Sequence, residues 1–216
     1  MKQLSNDNAA NRASYVGRVY NVGEKTVKEE LLASFPSKWS RLHREGYIHI
    51  HDLDAYGKTY NCLTFDVVSR FPFKTFKRLS DTIVIIRLFG YFKTMFADMG
   101  NEQSGGMAFA NFDNDLEELL RSLDVKDNVQ NRELIAACIG DFILWCNNTH
   151  TRMGQTSYYI TLNIGLARND LARFIAYSVI DEFEKCGETV YKPNIVFKVS
   201  AGVNRNEGDR NFDLYK

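Results

Sequence analysis

Short apolar runs that are typical of β-strands alternate along this 216-residue chain with longer patterns that are typical of helices. Strands separated by helices pair most readily in parallel, with the helices covering the sheet, so this order predicts an α/β fold with a mostly parallel sheet. The predicted strands are Tyr47–Asp52, Tyr60–Val68, Ser157–Gly165 and Asn194–Ser200.

Helices are predicted where apolar residues recur every three to four positions. Asp81–Met99 follows Ser80, a residue type that caps helix N-termini, and Leu171–Cys186 precedes Gly187, a typical stop residue. Residues 1–22 show little periodicity and are predicted to form an irregular lead-in, whereas Phe212–Lys216 looks like the start of a further helix. The other predicted helices are Glu24–Glu45, broken at Pro36, Asp113–Leu123 and Asn131–Asn148.

The overall charge favours neither nucleic acid nor a membrane surface as a partner, because 27 basic and 27 acidic side chains balance each other. No apolar run is long enough to span a bilayer. The four cysteines form no C-x-x-C pair, which indicates reduced thiols in a cytoplasmic protein.

The stretch Gly46–Asp66 concentrates groups that are costly to desolvate, including two histidines and a cysteine, within strand-like runs. In a strand, His49 and His51 would share one face. Such a pair can ligate a metal, but no further ligand has suitable spacing, so we expect no metal. Instead, we expect buried histidines held by Asp52 or Asp54, forming the floor of a pocket.

Cys62 is the sharper candidate for chemistry. A lone cysteine in a strand is most often a small apolar residue, but the polar neighbours Asn61 and Asp66 favour a functional thiol. In a regular strand Asn61 and Cys62 point to opposite faces, so both reach one ligand only near a strand end or a bulge.

Two loops could hold an oxygen-rich ligand through backbone amides. Gly105 and Gly106 allow close backbone approach, although no P-loop lysine pattern accompanies them and a tight turn is the simpler interpretation. Gln155 and Thr156 precede a predicted strand and add polar side chains to a second loop.

Taken in order, the motifs of this chain resemble those of the anaerobic ribonucleoside-triphosphate reductases, which are glycyl radical enzymes. The resemblance covers essentially the whole chain, and the IHIHDLD and NC blocks are its most specific part. The matching motifs are N-x-N-A (6–9), G-x-I-H-x-H-D-x-D (46–54), N-C (61–62), G-G-x-x-F-A-N-x-D (105–113), G-Q-T (154–156) and K-x-x-x-G-V-N (198–204).

The resemblance implies that residues 1–216 form the first, N-terminal half of a ten-stranded α/β barrel, with about five mostly parallel strands. It implies that Cys62 supplies hydrogen during ribose reduction, with Asn61 as its active-site neighbour. His49, His51, Gln155, Thr156, Gly105 and Gly106 are the implied substrate-binding residues. A hydrogen donor must be a neutral thiol held away from water, and an apolar strand offers such a place.

The implied cofactors and partners belong to the whole enzyme. They are a glycyl radical installed by an S-adenosylmethionine and iron–sulfur activase, a structural zinc, and formate or thioredoxin as reductant. The implied ligands are ribonucleoside triphosphates as substrates and deoxynucleoside triphosphates or ATP as effectors, in a homodimer.

The sequence departs from the family in lacking an R-V-x-G-Y radical signature, a G-C-R finger-loop cysteine, the four-cysteine zinc site and an ATP-cone. We therefore expect the chain to be part of something longer, to be inactive alone and, with unpaired strand edges, to self-associate. Two alternatives stay open: another glycyl radical enzyme of the formate-lyase or dehydratase type, or a non-catalytic module that binds deoxynucleotide effectors or mediates dimerisation through Asp81–Met99 and Asn111–Leu123.

Overall fold

The computed structural model of this chain describes residues 15–100, 104–149 and 159–216. Within these residues, seven α-helices and four strands alternate, with short 3₁₀ turns at Phe73–Phe76 and Gly187–Thr189. The helices are α1 (Tyr15–Ser34), α2 (Ser37–Arg44), α3 (Asp81–Met99), α4 (Phe112–Ser122), α5 (Val129–Asn148), α6 (Asp170–Lys185) and α7 (Phe212–Tyr215). The strands are β1 (Leu63–Phe65), β2 (Met107–Phe109), β3 (Ile160–Ile164) and β4 (Asn194–Phe197).

The four strands form one sheet in which every pair is parallel and the spatial order follows the chain order, β1-β2-β3-β4. Parallel neighbours need a crossover of a dozen or more residues, and helices α3 to α6 lie within these crossovers. The predicted α/β class with a parallel sheet and flanking helices is confirmed, with four strands in the described residues instead of about five.

The core lies between one face of the sheet and helices α3, α4, α5 and α6, and aromatic rings dominate it. Phe142 on α5 is fully buried, stacks on Trp145 and lies near Phe92 and Phe96 of α3. Phe109 brings β2 into the same cluster through its edge-on contact with Phe96. Aromatic side chains bury large apolar areas, so this cluster is the main apolar support of the sheet.

Several helix ends follow directly from the sequence. The side chains of Asn128 and Asn169 cap α5 and α6, because each accepts a hydrogen bond from the backbone amide three residues later. Gly187 has a φ of 65° just after α6, as expected for a glycine stop. Ser80 precedes α3 as predicted, but its side chain makes no capping hydrogen bond.

Two local predictions are wrong, and one strand was missed. Tyr47–Asp52 is not a strand but a turn-rich segment in which Gly46 and Asp52 have positive φ angles of 79° and 45°. Residues 15–22, predicted as part of an irregular lead-in, belong to α1, whereas residues 1–14 lie outside the described part. The short strand β2 was not predicted at all.

None of the helices in the described residues is long and apolar enough to cross a membrane.

Candidate functional site

The two faces of the sheet differ in chemistry because side chains alternate along each strand. One face is buried against the helices. The other carries small or polar residues that are half-buried or exposed, and we call it the polar face. In register across the four strands, the polar face presents Thr64, Ala108, Thr161 and Asn194, followed by Asn163 and Val196 on β3 and β4.

Cys62 lies immediately before β1, two residues before Thr64, and alternation therefore places it on the polar face. Its side chain is exposed. The thiol donates a hydrogen bond to the Oδ1 of Asn61, with 3.3 Å between the sulfur and the oxygen. The two side chains can meet because Asn61 lies two residues before β1, beyond the regular strand.

Cys62 is therefore not buried in an apolar strand as predicted. The reason is its position: Cys62 lies one residue before β1, and β1 is an outer strand of the four-stranded sheet. Cys146, by contrast, is fully buried on α5, where burial raises the pKa of its thiol well above the usual value. Burial also raises the pKa of Cys138, whose side chain is half-buried.

The glycine pair Gly105 and Gly106 lies between Cys62 and β3, at the start of β2. The amide of Gly105 donates to the carbonyl oxygen of Asn61 at 2.7 Å, and the amide of Leu63 donates to the carbonyl oxygen of Gly106 at 2.9 Å. A Cβ atom on Gly105 would lie 2.4 Å from both the carbonyl oxygen and the Oδ1 of Asn61. Glycine at position 105 therefore allows β2 to approach Asn61 closely at the start of the strand.

His49 and His51 are exposed, so the predicted buried pair is wrong. Their ring centroids lie 5.8 Å apart, and the ring of His43 lies 6.0 Å from that of His49. The predicted acid contact exists for one of them: Nε2 of His51 lies 3.4 Å from Oδ1 of Asp52. The histidines are exposed because the segment turns instead of pairing as a strand.

In the described residues, neither histidine of the predicted pair shares a hydrogen bond or ring contact with Cys62. Nor does any group of three or more histidine, cysteine, aspartate or glutamate side chains in these residues have the arrangement needed to hold a metal ion. Gln155 and Thr156, the other predicted substrate-binding residues, lie outside the described part of the chain.

The opposite, carboxyl-terminal edge of the sheet holds a polar network whose residues lie in two of the matching motifs, 105–113 and 198–204, and to which the sequence alone assigned no role. Lys198 after β4 donates to the carbonyl oxygen of Ala110 and, at 3.0 Å, to the Oδ1 of Asn111. Asn204 is fully buried and its side-chain amide donates to the carbonyl oxygens of Gly165 and Lys198, at 2.8 Å each. These bonds join the ends of β2, β3 and β4.

Acidic groups complete this edge. Asp113 is buried and accepts the amide of Gly165 at 2.9 Å, and burial raises the pKa of its carboxyl. Burial, with the neighbouring charge of Asp113, raises the pKa of Asp115 to about 6. Near the same edge, the Oδ1 of Asn163 is buried and has no hydrogen-bond partner among the described residues.

In comparisons with known proteins, the chain matches one family. The family model described as anaerobic ribonucleoside-triphosphate reductase matches residues 6–216, nearly the whole chain. A comparison with curated proteins gives no significant match.

Proposed function

Because this chain belongs to the anaerobic ribonucleoside-triphosphate reductase family, we propose that it serves the reduction of ribonucleotides to deoxyribonucleotides and that Cys62 supplies hydrogen to the sugar. The observation that carries this assignment is the position of the Cys62 thiol on the polar face, hydrogen-bonded to Asn61 and open to a substrate that would cover it and exclude water. Of the four cysteines, it is the one at the end of a strand; the others lie on or just after helices α5 and α6.

The hydrogen bond to Asn61 supports a donor role in particular. In this contact Cys62 is a thiol whose S–H group donates to Oδ1. A hydrogen-atom donor needs that form, whereas a nucleophilic cysteine needs the thiolate. Asn61 also fixes the direction of the S–H bond, and its own backbone is fixed by the amide of Gly105.

The electron count defines the share of Cys62 in the reaction. Replacing the 2′ hydroxyl by hydrogen consumes two electrons and two protons, and one proton leaves with the hydroxyl as water. Cys62 supplies one electron and one proton together as a hydrogen atom. The external reductant, either formate, which becomes carbon dioxide, or a thioredoxin-type dithiol, which becomes a disulfide, gives up two electrons. One of them goes to the substrate, and the other returns the Cys62 thiyl radical to the thiol together with a proton. With formate, which releases one proton, the remaining proton comes from water.

The other assignments follow from the family. We propose ribonucleoside triphosphates as substrates, deoxynucleoside triphosphates and ATP as effectors, and a radical-forming activase and a second copy of the enzyme as partners. His49, His51, Gln155 and Thr156 remain proposed substrate contacts. For Gly105 and Gly106 we propose a different role from phosphate binding, namely making room for the groups that line the site.

The direct test replaces the thiol in a reconstituted, activase-treated reductase that contains this chain. We expect Cys62→Ala to reduce deoxynucleotide formation at least a thousandfold while substrate binding stays within about threefold, because only the sulfur is removed. The matched control is Cys138→Ala, which removes a thiol from the side of α5 and should leave turnover within about twofold. Turnover by Cys62→Ala above a tenth of the unsubstituted rate would refute the assignment.

Thiol labelling gives an independent measurement. Iodoacetamide should modify Cys62 well before Cys146, which is buried. If the substrate lies over Cys62, a saturating ribonucleoside triphosphate should slow modification of Cys62 at least fivefold and leave Cys138 unaffected. Equal labelling rates with and without nucleotide would contradict a substrate site at this thiol.

A further inference from the structure

The strand register places a tyrosine that no motif indicated in the same cross-strand row as Cys62, with β2 between them. Leu63 pairs with Met107 and Met107 pairs with Ile160, so the row before them contains Cys62, Gly106 and Tyr159. The amide of Met107 donates to the carbonyl oxygen of Tyr159 at 2.8 Å, which fixes that register at its start. Tyr159 is half-buried.

The Tyr159 ring lies on the polar face and over Gly106. A Cβ atom on Gly106 would lie 2.7 Å from Cδ1 and 3.2 Å from Cε1 of Tyr159, so one edge of the ring covers the space that a side chain at position 106 would fill. Neighbouring strands lie about 4.8 Å apart. The ring therefore reaches from β3 back across β2, towards the strand end that holds Cys62.

This geometry points to Tyr159 as a further substrate-binding residue, whose ring supports the ribose over Cys62. The inference rests on the proposed function, because it takes Cys62 as the hydrogen donor to the sugar. The C–H groups of a ribose are apolar and pack well on an aromatic ring, and aromatic side chains commonly line such sites. Gly106 allows this position of the Tyr159 ring, since any side chain at residue 106 would overlap the ring.

The test distinguishes the effect of losing the Tyr159 ring from the effects of losing its hydroxyl group and of disturbing the fold. In the reconstituted reductase, Tyr159→Leu should raise KM about tenfold for all four ribonucleotides and change kcat less than threefold, because the ring contacts the sugar before and during the reaction alike. Tyr159→Phe keeps the ring and should stay within twofold. The control Tyr177→Leu, at an exposed position on α6, should change neither constant.

Gly106→Ala provides a second variant with a different structural cause. The added methyl would overlap the Tyr159 ring, which can move by side-chain rotation, whereas the nearest backbone atom lies 3.6 Å away, so the fold should persist while the ring is displaced. We expect the same rise in KM as for Tyr159→Leu, together with a loss of at least threefold in the nucleotide protection of Cys62 against iodoacetamide.

Three results would overturn the inference. One is an unchanged KM in Tyr159→Leu, and another is damage by Tyr159→Phe equal to that by Tyr159→Leu, which would assign the effect to the hydroxyl. The third is a KM rise that differs strongly between purine and pyrimidine nucleotides, which would place the base on the ring instead of the ribose. Substrate affinity in the Cys62→Ala background keeps this test separate from the proposed function, because it needs no turnover.

Discussion

Replacing Gly105 with alanine should separate the amino-terminal ends of β1 and β2. The new Cβ atom would lie 2.4 Å from both the carbonyl oxygen and the Oδ1 of Asn61 and 2.8 Å from its carbonyl carbon, about 0.6 to 1 Å short of the 3.4 Å at which ordinary contact begins. Because two of these three atoms belong to the backbone, a side-chain rotation cannot relieve the overlap. The chain at Asn61 must retreat, and the hydrogen bond from the amide of Gly105, now 2.7 Å long, must lengthen or break.

The expected cost follows from these contacts. The lost hydrogen bond contributes about 1 kcal/mol net, and overpacking of this kind costs about 1–3 kcal/mol. We therefore expect Gly105→Ala to lower the free energy of unfolding by about 2–4 kcal/mol. The neighbouring bond from the amide of Ser104 to the carbonyl oxygen of Tyr60, at 2.9 Å, should weaken with it.

The assay is urea unfolding of the chain, with hydrogen exchange at the amides of Leu63, Ser104 and Gly105 as a local readout. The matched control is Gly90→Ala. Gly90 is exposed within α3, and an added Cβ there meets nothing within 4 Å, so the same chemical change should stabilise the chain by about 1 kcal/mol. If the unfolding midpoint of Gly105→Ala rises together with that of Gly90→Ala, the close approach of β2 to Asn61 is not a constraint.

Two further predictions concern the pH dependence and the core. The raised pKa of Asp115, about 6 against 3.8 in the unfolded chain, means that the folded state holds its proton more tightly, so this residue's contribution to stability falls as the pH rises from about 4 to about 6. After discounting for partial exposure, Asp115→Asn should gain about 1 kcal/mol at pH 7.5 and little at pH 4.5, and urea midpoints that change equally at both pH values would contradict this. In the core, Phe142→Ala should lower the free energy of unfolding by about 3–5 kcal/mol, because it empties the centre of the aromatic cluster. The control Leu144→Ala, at a position on the same helix that is 44% exposed, should cost far less. Similar losses of the two variants in thermal unfolding would contradict a core centred on Phe142.

The long helices could be predicted from the sequence because their signals are local and repeated. Asp81–Met99 coincides with α3, and the break at Pro36 separates α1 from α2. Asn61 and Cys62, the proposed catalytic residues, could also be singled out from their motif, and the structure brings their two side chains into contact. In each case the deciding information lies within one short stretch of chain.

The remainder depends on tertiary partners. The alternation at Tyr47–Asp52 imitates a strand, but Asp52 adopts a positive φ and the segment turns. β2 is only three residues long and is defined by β1 and β3 on either side, so no periodic run marks it. Tyr159 comes next to Gly106 through cross-strand register, which a single strand's sequence does not contain.

The coincidence of spatial and sequential strand order has a consequence for biosynthesis. Each strand adds to the edge left by the one before it, so the sheet can grow from the N-terminus as the chain leaves the ribosome, without inserting a later strand between earlier ones. The surroundings of Cys62 then form in two stages. The strand end at Cys62 is hydrogen-bonded once β2 has emerged, and the Tyr159 ring is added only with β3. Pausing of translation between β2 and β3 would leave Cys62 exposed on the nascent chain before Tyr159 is in place.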